Sequence, residues 1–265
     1  MRKVKKIIKS AAVLLFWLFI WQIISIIISN DLLFPSPLRV FERLFELLRE
    51  INFYITVLTS LLRIAAGVVS ALTAGVLLAV LSSAVPFVHD LLSPFMSVVK
   101  STPVASFIFL LLLWIGRDVM PAVIAAVILL PVVWTNMETG IKQTDRNLLE
   151  LAAAYKMKTS AKVRYIYLPS VMPYFVSALK SSTGIAWKAG IAAEVLALPV
   201  VSIGKYIFES KMYLQTTELF AWTVATIVIS AAIEKLLVFA TDKLSDGITG
   251  KYREKGTMDI NDRIC

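Results

Sequence analysis

The chain has 265 residues, of which 58% are hydrophobic and 17% are charged, and its mean hydropathy is +0.78. This composition excludes an ordinary water-soluble protein and predicts an all-α polytopic membrane protein with about six transmembrane helices of roughly 20 residues each. The net charge of +9 does not indicate a nucleic-acid partner, because an excess of Lys and Arg in an apolar chain is typical of loops beside anionic lipid headgroups.

The N-terminal region, residues 1–56, is predicted to hold one transmembrane helix and one interfacial helix. An apolar run of about 18 residues follows the basic start MRKVKKIIKS without a small-x-small cleavage site, which favours an uncleaved span over a signal peptide. Between residues 38 and 49, apolar and charged side chains recur at helical spacing, with Ser36 as the expected N-cap and Pro37 in the first turn. We expect this second helix to lie on the extracytoplasmic headgroups, with partner docking as the alternative.

Residues 57–242 are predicted to form the membrane core. Small residues recur at every fourth position in its first span, at Gly67, Ala71 and Gly75, and allow another helix to approach closely. Arg63 is expected to extend to the headgroups, and Pro103 interrupts the following span because it lacks a backbone donor. The expected spans two to six are 57–85, 86–114, 118–135, 173–198 and 219–239.

The distribution of basic residues predicts the orientation of the chain. Five, six and five Lys or Arg lie in the N-terminus, in segment 137–172 and in the C-terminal tail, against three, one and two in the opposite loops. By the positive-inside rule, both termini, this segment and the tail (243–265) are expected in the cytoplasm. The single cysteine, Cys265, cannot form an internal disulfide or a metal site.

The basic segment 139–172 is predicted to project as two short helices joined by a tight turn. The sequence LLELAAAYKM favours the first helix, Lys158 to Ser160 favours a turn with Ser160 as a cap, and AKVRYIYL favours a second helix before Pro169. Such a projection is suited to docking into a cytoplasmic partner. The alternative is a basic connector held against lipid headgroups.

This segment resembles the EAA loop of permease subunits in binding-protein-dependent ABC importers. The residues that carry the resemblance are Glu150, Ala152, Ala153, Leu168, Pro169 and Pro173. Elsewhere the chain is similar to the nitrate, sulfonate and taurine branch of these permeases, in FPSPLRVFERLFELL, SLLRIAAGVVSALTAGVLLAVL, STPVASFIFLLLLWIGRD and GIAWKAGIAAEVLALPVVSIGKYIF. The usual glycine of the loop falls at Lys156, so we expect the turn there to differ or shift.

The resemblance implies a type I importer permease fold whose loop docks on separate ABC ATPase subunits. It also implies an extracytoplasmic solute-binding protein, a second permease copy in a homodimer, surrounding lipid and a bacterial cell membrane. Related systems carry nitrate, sulfonates, taurine, bicarbonate or vitamin precursors, so the resemblance does not choose the solute.

The chain lacks the sequence features of an ATPase or a metalloenzyme. No G-x-x-x-x-G-K-[ST] phosphate loop is present, because GITGK at 247–251 has the wrong spacing. His89 is the only histidine, and no cluster of His, Cys, Asp and Glu indicates a metal site or a catalytic triad. We therefore expect no enzymatic activity, metal or cofactor in this chain, and ATP hydrolysis in another.

Polar residues of the fifth and sixth spans are predicted to line the translocation path. Lys180, Trp187 and Glu194 are seven residues apart and form one stripe of a helix, with Gly184 and Ile191 between them. The second stripe consists of Thr223, Thr226, Ser230 and Glu234.

Alternatives to this path exist at the level of sequence. Lys180 and Glu194 could instead reach the headgroups or pair with a neighbouring helix. The chain could also be a secondary transporter or channel that uses Lys180, Lys188 and Glu194 for coupling ions or selectivity, or a membrane scaffold without a transport role.

Overall fold

A computed structural model describes the backbone of residues 2–261 and the side chains of residues 8, 9 and 11–241. Cys265 lies outside the described residues. The described chain is all-helical, as predicted. In chain order the elements are α1 (Arg2–Ile28), α2 (Pro37–Leu47), α3 (Ile51–Ala84), α4 (Pro86–Ser101), α5 (Val104–Leu111), α6 (Met120–Lys142), α7 (Arg146–Ala154), α8 (Thr159–Lys162), a π turn (Val163–Tyr167), α9 (Leu168–Ala197), α10 (Ile203–Met212) and α11 (Thr216–Asn261).

Four helices of the described chain are long and apolar enough to cross a membrane: α1 over Ala11–Ile28, α3, α6, and α11 over Thr216–Thr241. The bent pair of α4 and α5 makes a fifth if it forms one span. At 30 residues α9 also has sufficient length, but its lysines and glutamate make it less apolar. The six expected spans overlap these elements in chain order, but among the described residues only four helices, or five with the bent pair, are long and apolar enough to be spans.

The third predicted span is two helices rather than one. α4 and α5 meet at an angle of 105°. Thr102 and Pro103 between them have extended backbone, with ψ of 132° and 133°, and Pro103 has no N–H to continue the helix. The proline that was expected to interrupt the span therefore divides it into two helices.

The small-residue stripe of α3 is the surface on which α6 packs. A Cβ at Gly67 would overlap the backbone carbonyl of Ala122, and a Cβ at Gly75 would lie 2.7 Å from a side-chain carbon of Val133. Ala71 between them is buried. The predicted close approach is confirmed, and it brings α3, α6 and α9 together in one core because α6 also packs along α9.

The predicted interfacial helix is α2, with Ser36 at its N-cap and Pro37 in its first turn. α2 is also bound to another helix of the chain, because Arg43 donates a hydrogen bond of 2.9 Å to Glu218 at the start of α11. A further helix, α10, was not predicted. It follows α9 and packs against α9, α11 and α3.

The projecting segment contains one separate short helix, α7, and not two. The prediction of a second independent helix was wrong: α8 continues through the π turn into α9. The π turn widens the backbone just before Pro169, whose ring and missing N–H do not fit a regular α turn. Ser160 lies inside α8 and is not its cap, since the cap position is Lys158.

Candidate functional site

The first candidate site is the surface of α7 and the turn that follows it. Asp145 caps α7 by accepting a hydrogen bond of 2.8 Å from the backbone of Asn147. Ala152 is buried, whereas Glu150 and Ala153 are exposed. The helix is therefore held through Ala152, its one buried residue, and its other faces point outward.

Lys156 occupies a left-handed conformation, with φ of 51°. Its N–H donates to the carbonyl of Ala153, and the N–H of Met157 donates to the carbonyl of Ala152, each at 2.9 Å. These two bonds form a Schellman motif, the helix ending that usually carries glycine. The expected shift of the turn was wrong, because lysine adopts the conformation that favours glycine.

Apolar side chains on the exposed face of α7 were missed by the sequence analysis. Leu148, Leu151 and Tyr155 are 46%, 55% and 79% exposed. They are spaced by three and four residues and so follow one side of the helix. The spacing of these apolar residues in the sequence could have predicted the stripe. An exposed apolar stripe on a projecting helix is typical of a docking surface.

The base of the loop is fixed to both neighbouring long helices. The hydroxyl of Tyr174 on α9 donates to the side-chain oxygen of Gln143, directly after α6, and the Tyr174 ring fills the space where Gly140 lacks a side chain. Leu168 and Pro169 lie at the start of α9, where Leu168 is partly exposed. The end of α6 and the start of α9 are thus joined at the base of the loop.

The second candidate site is a cavity of about 680 Å³ between α9 and α11. Its lining includes five of the residues predicted for the two polar stripes: Lys180, Trp187, Thr226, Ser230 and Glu234. Gly184 and Ile191, predicted between the stripe residues, line it as well.

Two predicted path residues lie elsewhere. Thr223 is exposed outside the lining, and its hydroxyl donates to the carbonyl of Leu219. Glu194 is fully buried and also outside the lining. Conversely, Lys188 and Ile185, which lie off the predicted stripe, do line the cavity, because it covers a wider arc of α9 than a single stripe.

Trp187 forms a closed part of the cavity wall. Its side chain is 3% exposed, and among the described residues its indole Nε1 has no hydrogen-bond partner. Lys188 is exposed, and Lys180 is half-buried. The cavity therefore combines two lysines and one glutamate with small hydroxyl side chains.

Glu194 pairs with a neighbouring helix, which is one of the alternatives that the sequence left open. Its Oε2 accepts hydrogen bonds from Ser60 Oγ on α3 at 2.9 Å and from the N–H of Gly204 on α10 at 3.1 Å. Arg63 lies 3.7 Å from Oε1. The expectation that Arg63 extends to the headgroups was therefore wrong: a buried carboxylate attracts it into the protein.

A second buried carboxylate, Glu138, was not identified from the sequence. Its Oε1 lies 2.6 Å from His89 Nδ1 and 2.9 Å from Lys142 Nζ. Ser82 Oγ lies 3.4 Å from the same oxygen and accepts a hydrogen bond from Trp134 Nε1. The described part of the chain contains no group of three or more His, Cys, Asp or Glu residues able to hold a metal ion.

Residues 71–249 match the family described as binding-protein-dependent transport system inner membrane component. This match covers more than half of the chain. The chain belongs to this family. It is a multi-pass membrane permease subunit of an ABC importer, and the family implies association with an ABC ATPase and a solute-binding protein. A secondary transporter, a channel or a scaffold is not favoured.

Individual relatives agree with the nitrate and taurine branch indicated by the sequence. The permease is 27% identical over 217 residues to the nitrate import permease protein of Synechocystis sp., covering 77% of each chain. It is 27% identical over 223 residues to the bicarbonate transport system permease protein of Synechococcus elongatus, covering 79% of each. It is 23% identical over 184 residues to the taurine transport system permease protein of Escherichia coli, covering 67% of this chain and 66% of that one. These relatives are transport proteins and not enzymes.

The fold is similar to that of a chain in the MetNI methionine ABC transporter, solved in inward-facing conformations. The TM-score is 0.51 at 18% sequence identity, and the match covers 74% of this permease and 93% of that chain. The expected type I importer permease fold is thereby confirmed.

Proposed function

We propose that the permease carries a small anionic solute through the cavity between α9 and α11. The observation that carries this proposal is the lining: Lys180 and Lys188 outnumber the single carboxylate, Glu234, and Thr226 and Ser230 add hydroxyl groups. Lysine ammonium groups attract anions, and hydroxyl groups donate hydrogen bonds to their oxygens. The relatives named for nitrate, bicarbonate and taurine support the same class, since each of these solutes bears an anionic group.

The energy for this transport comes from separate ATPase subunits that dock on the coupling loop. The exposed face of α7 supplies the apolar contact, and the Schellman turn at Lys156 fixes its direction. The residues assigned to this loop are Glu150, Ala152, Ala153, Lys156, Leu168 and Pro169. In this proposal the permease itself catalyses no reaction.

The working assembly has two copies of this permease, two ATPase subunits and one solute-binding protein on the opposite face of the membrane. Exposed apolar side chains on α1, such as Phe16, Phe19 and Ile27, contact lipid. The coupling loop and both chain termini lie in the cytoplasm, as the basic residues indicate.

Thiol labelling during ATP-driven turnover tests the path. With Cys265→Ser as background, we expect Gly184→Cys and Ser230→Cys to react with a small water-soluble thiol reagent at rates that change with ATP. Thr223→Cys is the matched control, because it lies on the same helix as Ser230 but outside the lining. Equal labelling at all three positions, or no response to ATP, contradicts the path.

Uptake into proteoliposomes tests the solute class. A panel of nitrate, bicarbonate, an alkyl sulfonate and an uncharged amide is offered to the complete complex. We expect Lys188→Gln to weaken uptake of the anion that is carried, because the cavity loses a positive charge. Uptake of the uncharged amide alone would overturn the anionic class.

A further inference from the structure

Glu194 makes fewer hydrogen bonds than a buried carboxylate usually does. Its Oε2 has two hydrogen bonds, but its Oε1 has none among the described residues. The guanidinium of Arg63 lies 3.7 Å from Oε1, whereas a charge-assisted hydrogen bond is about 2.8 Å long. A buried polar atom without a hydrogen bond is rare and calls for an explanation.

Arg63 is shared between two carboxylates. Besides facing Glu194, it lies 3.4 Å from Oδ1 of Asp118, before α6, and donates a hydrogen bond of 2.8 Å to the carbonyl of Val201. Asp118 in turn accepts a hydrogen bond of 3.1 Å from the N–H of Val200. The contacts use different nitrogens, because Nη2 faces Asp118 whereas Nη1 faces both Glu194 and the carbonyl of Val201. One guanidinium therefore links the start of α3 to both carboxylates and to the segment that follows α9.

These contacts hold the segment 198–204 between α9 and α10 against the start of α3. Ser60 Oγ also accepts a hydrogen bond of 3.0 Å from the N–H of Ile203. Gly204 lies so close to Glu194 that a Cβ would overlap it. These contacts can form only when α3, α9 and α10 lie side by side at this end of the molecule.

The opposite end of α9 begins in the coupling loop. α9 is continuous from Leu168 to Ala197, and 26 residues separate Leu168 from Glu194, which is about 39 Å of helix. A helix packed along its length moves as a unit. A displacement of the loop by the ATPase thus reaches Glu194 through a single element.

We propose that Arg63 and Glu194 form an outer ion pair that controls opening of the extracytoplasmic side of the permease. While Arg63 faces Glu194 and donates to the carbonyl of Val201, α3 is held to segment 198–204 and this side is closed. When Arg63 leaves Glu194, the segment is released and this side opens. Glu194 is accordingly a positioning residue for transport, not a residue that contacts the solute.

The test measures the distance between the two parts that the outer ion pair joins. Spin labels are attached to cysteines at Ile51 and Val200, which are 71% and 55% exposed, with Cys265→Ser as background and the complete complex in lipid nanodiscs. We expect Glu194→Gln to shift the distance distribution to longer values, because Gln keeps the acceptor for Ser60 and Gly204 but loses the charge. We expect Asp118→Asn to leave it nearly unchanged, because Asn keeps an acceptor for the N–H of Val200 and Arg63 keeps Glu194.

A shift in Glu194→Gln without one in Asp118→Asn distinguishes this role from simple stabilisation of the fold. If the network only stabilises the fold, both variants loosen it and the distances lengthen together, or neither changes. Either result overturns the proposal. If Glu194→Gln does not assemble with the ATPase, Arg63→Gln takes its place and is expected to lengthen the distance in the same way.

A second measurement relates the outer ion pair to transport. We expect Glu194→Gln to lower solute uptake per ATP hydrolysed about tenfold, within the usual range of coupling between distant sites. An unchanged ratio of uptake to hydrolysis overturns the proposal. Neither measurement uses a cavity residue, so failure of the proposed path between α9 and α11 would appear separately, in the labelling of Gly184→Cys and Ser230→Cys.

Discussion

The carboxylate Oε1 of Glu138 on α6 lies 2.6 Å from Nδ1 of His89 on α4. The His89 ring also stacks on Trp134, with 5.7 Å between the ring centroids. Glu138 is almost fully buried, whereas a third of the His89 side chain is exposed. These contacts join the start of the bent α4–α5 pair to the end of α6 that leads into the coupling loop.

Removing the Glu138 carboxylate should destabilise the permease. We expect Glu138→Ala to lower the free energy of unfolding by about 2 kcal/mol, because it leaves His89 without the carboxylate that it contacts and creates a small void. The measurement is thermal or denaturant unfolding of the purified permease in detergent. Glu150→Ala is the control, since Glu150 is exposed on α7, and its effect should stay within about 0.5 kcal/mol. Equal losses in the two variants contradict the role of Glu138.

The glycines of the chain should differ sharply in tolerance to alanine. We expect Gly67→Ala to destabilise by about 2 kcal/mol or more, because its Cβ would overlap the carbonyl of Ala122 and separate α3 from α6. Gly184→Ala is the matched control, because nothing lies within 4 Å of a Cβ there, and alanine is the better helix former by about 1 kcal/mol. Unfolding of both variants provides the comparison. A stable Gly67→Ala variant would show that the two helices are not in close contact.

Helix positions and the close packing of α3 on α6 could be predicted because they depend on local spacing. The partners of Glu194 could not, since Ser60 is 134 residues distant along the chain and periodicity does not reveal which helix a buried carboxylate faces. The same limit applies to Glu138 and His89, which are 49 residues apart. The spacing by seven residues put Lys180 and Trp187 on the side of α9 that lines the cavity. It did not put Glu194 in its actual position, because long-range hydrogen bonds determine the environment of that residue.

The turn at Lys156 shows a different limit. The preference for glycine there is about 1 to 2 kcal/mol, which two hydrogen bonds of the Schellman motif can offset. A substitution that looks disruptive in sequence therefore leaves the turn in place. Propensity alone could not decide between a shifted turn and a strained one.

Replacing Lys156 by glycine should stabilise the loop. We expect Lys156→Gly to raise the free energy of unfolding by up to about 1 kcal/mol, because glycine adopts a φ of 51° without a steric cost. Lys158→Gly is the control, because the φ of Lys158 is −60° and glycine relieves no strain there. Glycine only adds conformational freedom to the unfolded chain at this position, so the free energy of unfolding should fall or stay the same. Thermal unfolding separates the two. A destabilised Lys156→Gly variant would mean that the lysine side chain makes a contact that outweighs the strain.

Reporter fusions should place the coupling loop and the outer helices on opposite sides of the membrane. A tag beside Thr159 is expected in the cytoplasm because the surrounding segment is rich in Lys and Arg, and a tag near Asn52 is expected outside. Protease accessibility in intact cells and in inverted vesicles gives the measurement. Finding both tags on one side contradicts the topology of six spans.

The exposed apolar face of α7 should supply most of the affinity for the ATPase. We expect Leu151→Ser and Tyr155→Ser to weaken co-purification of the ATPase subunit about tenfold each, because a side chain that becomes buried on docking contributes about 1.5 kcal/mol or more. Both side chains are more than half exposed, so the stability of the isolated permease should change little. Lys158→Ser is the matched control, since it shortens an exposed basic side chain in the same loop without removing apolar surface. If Lys158→Ser weakens the association as strongly as Tyr155→Ser does, charge and not apolar contact holds the subunits together. If none of the three variants affects association or transport, the loop is the basic connector that lies against the headgroups.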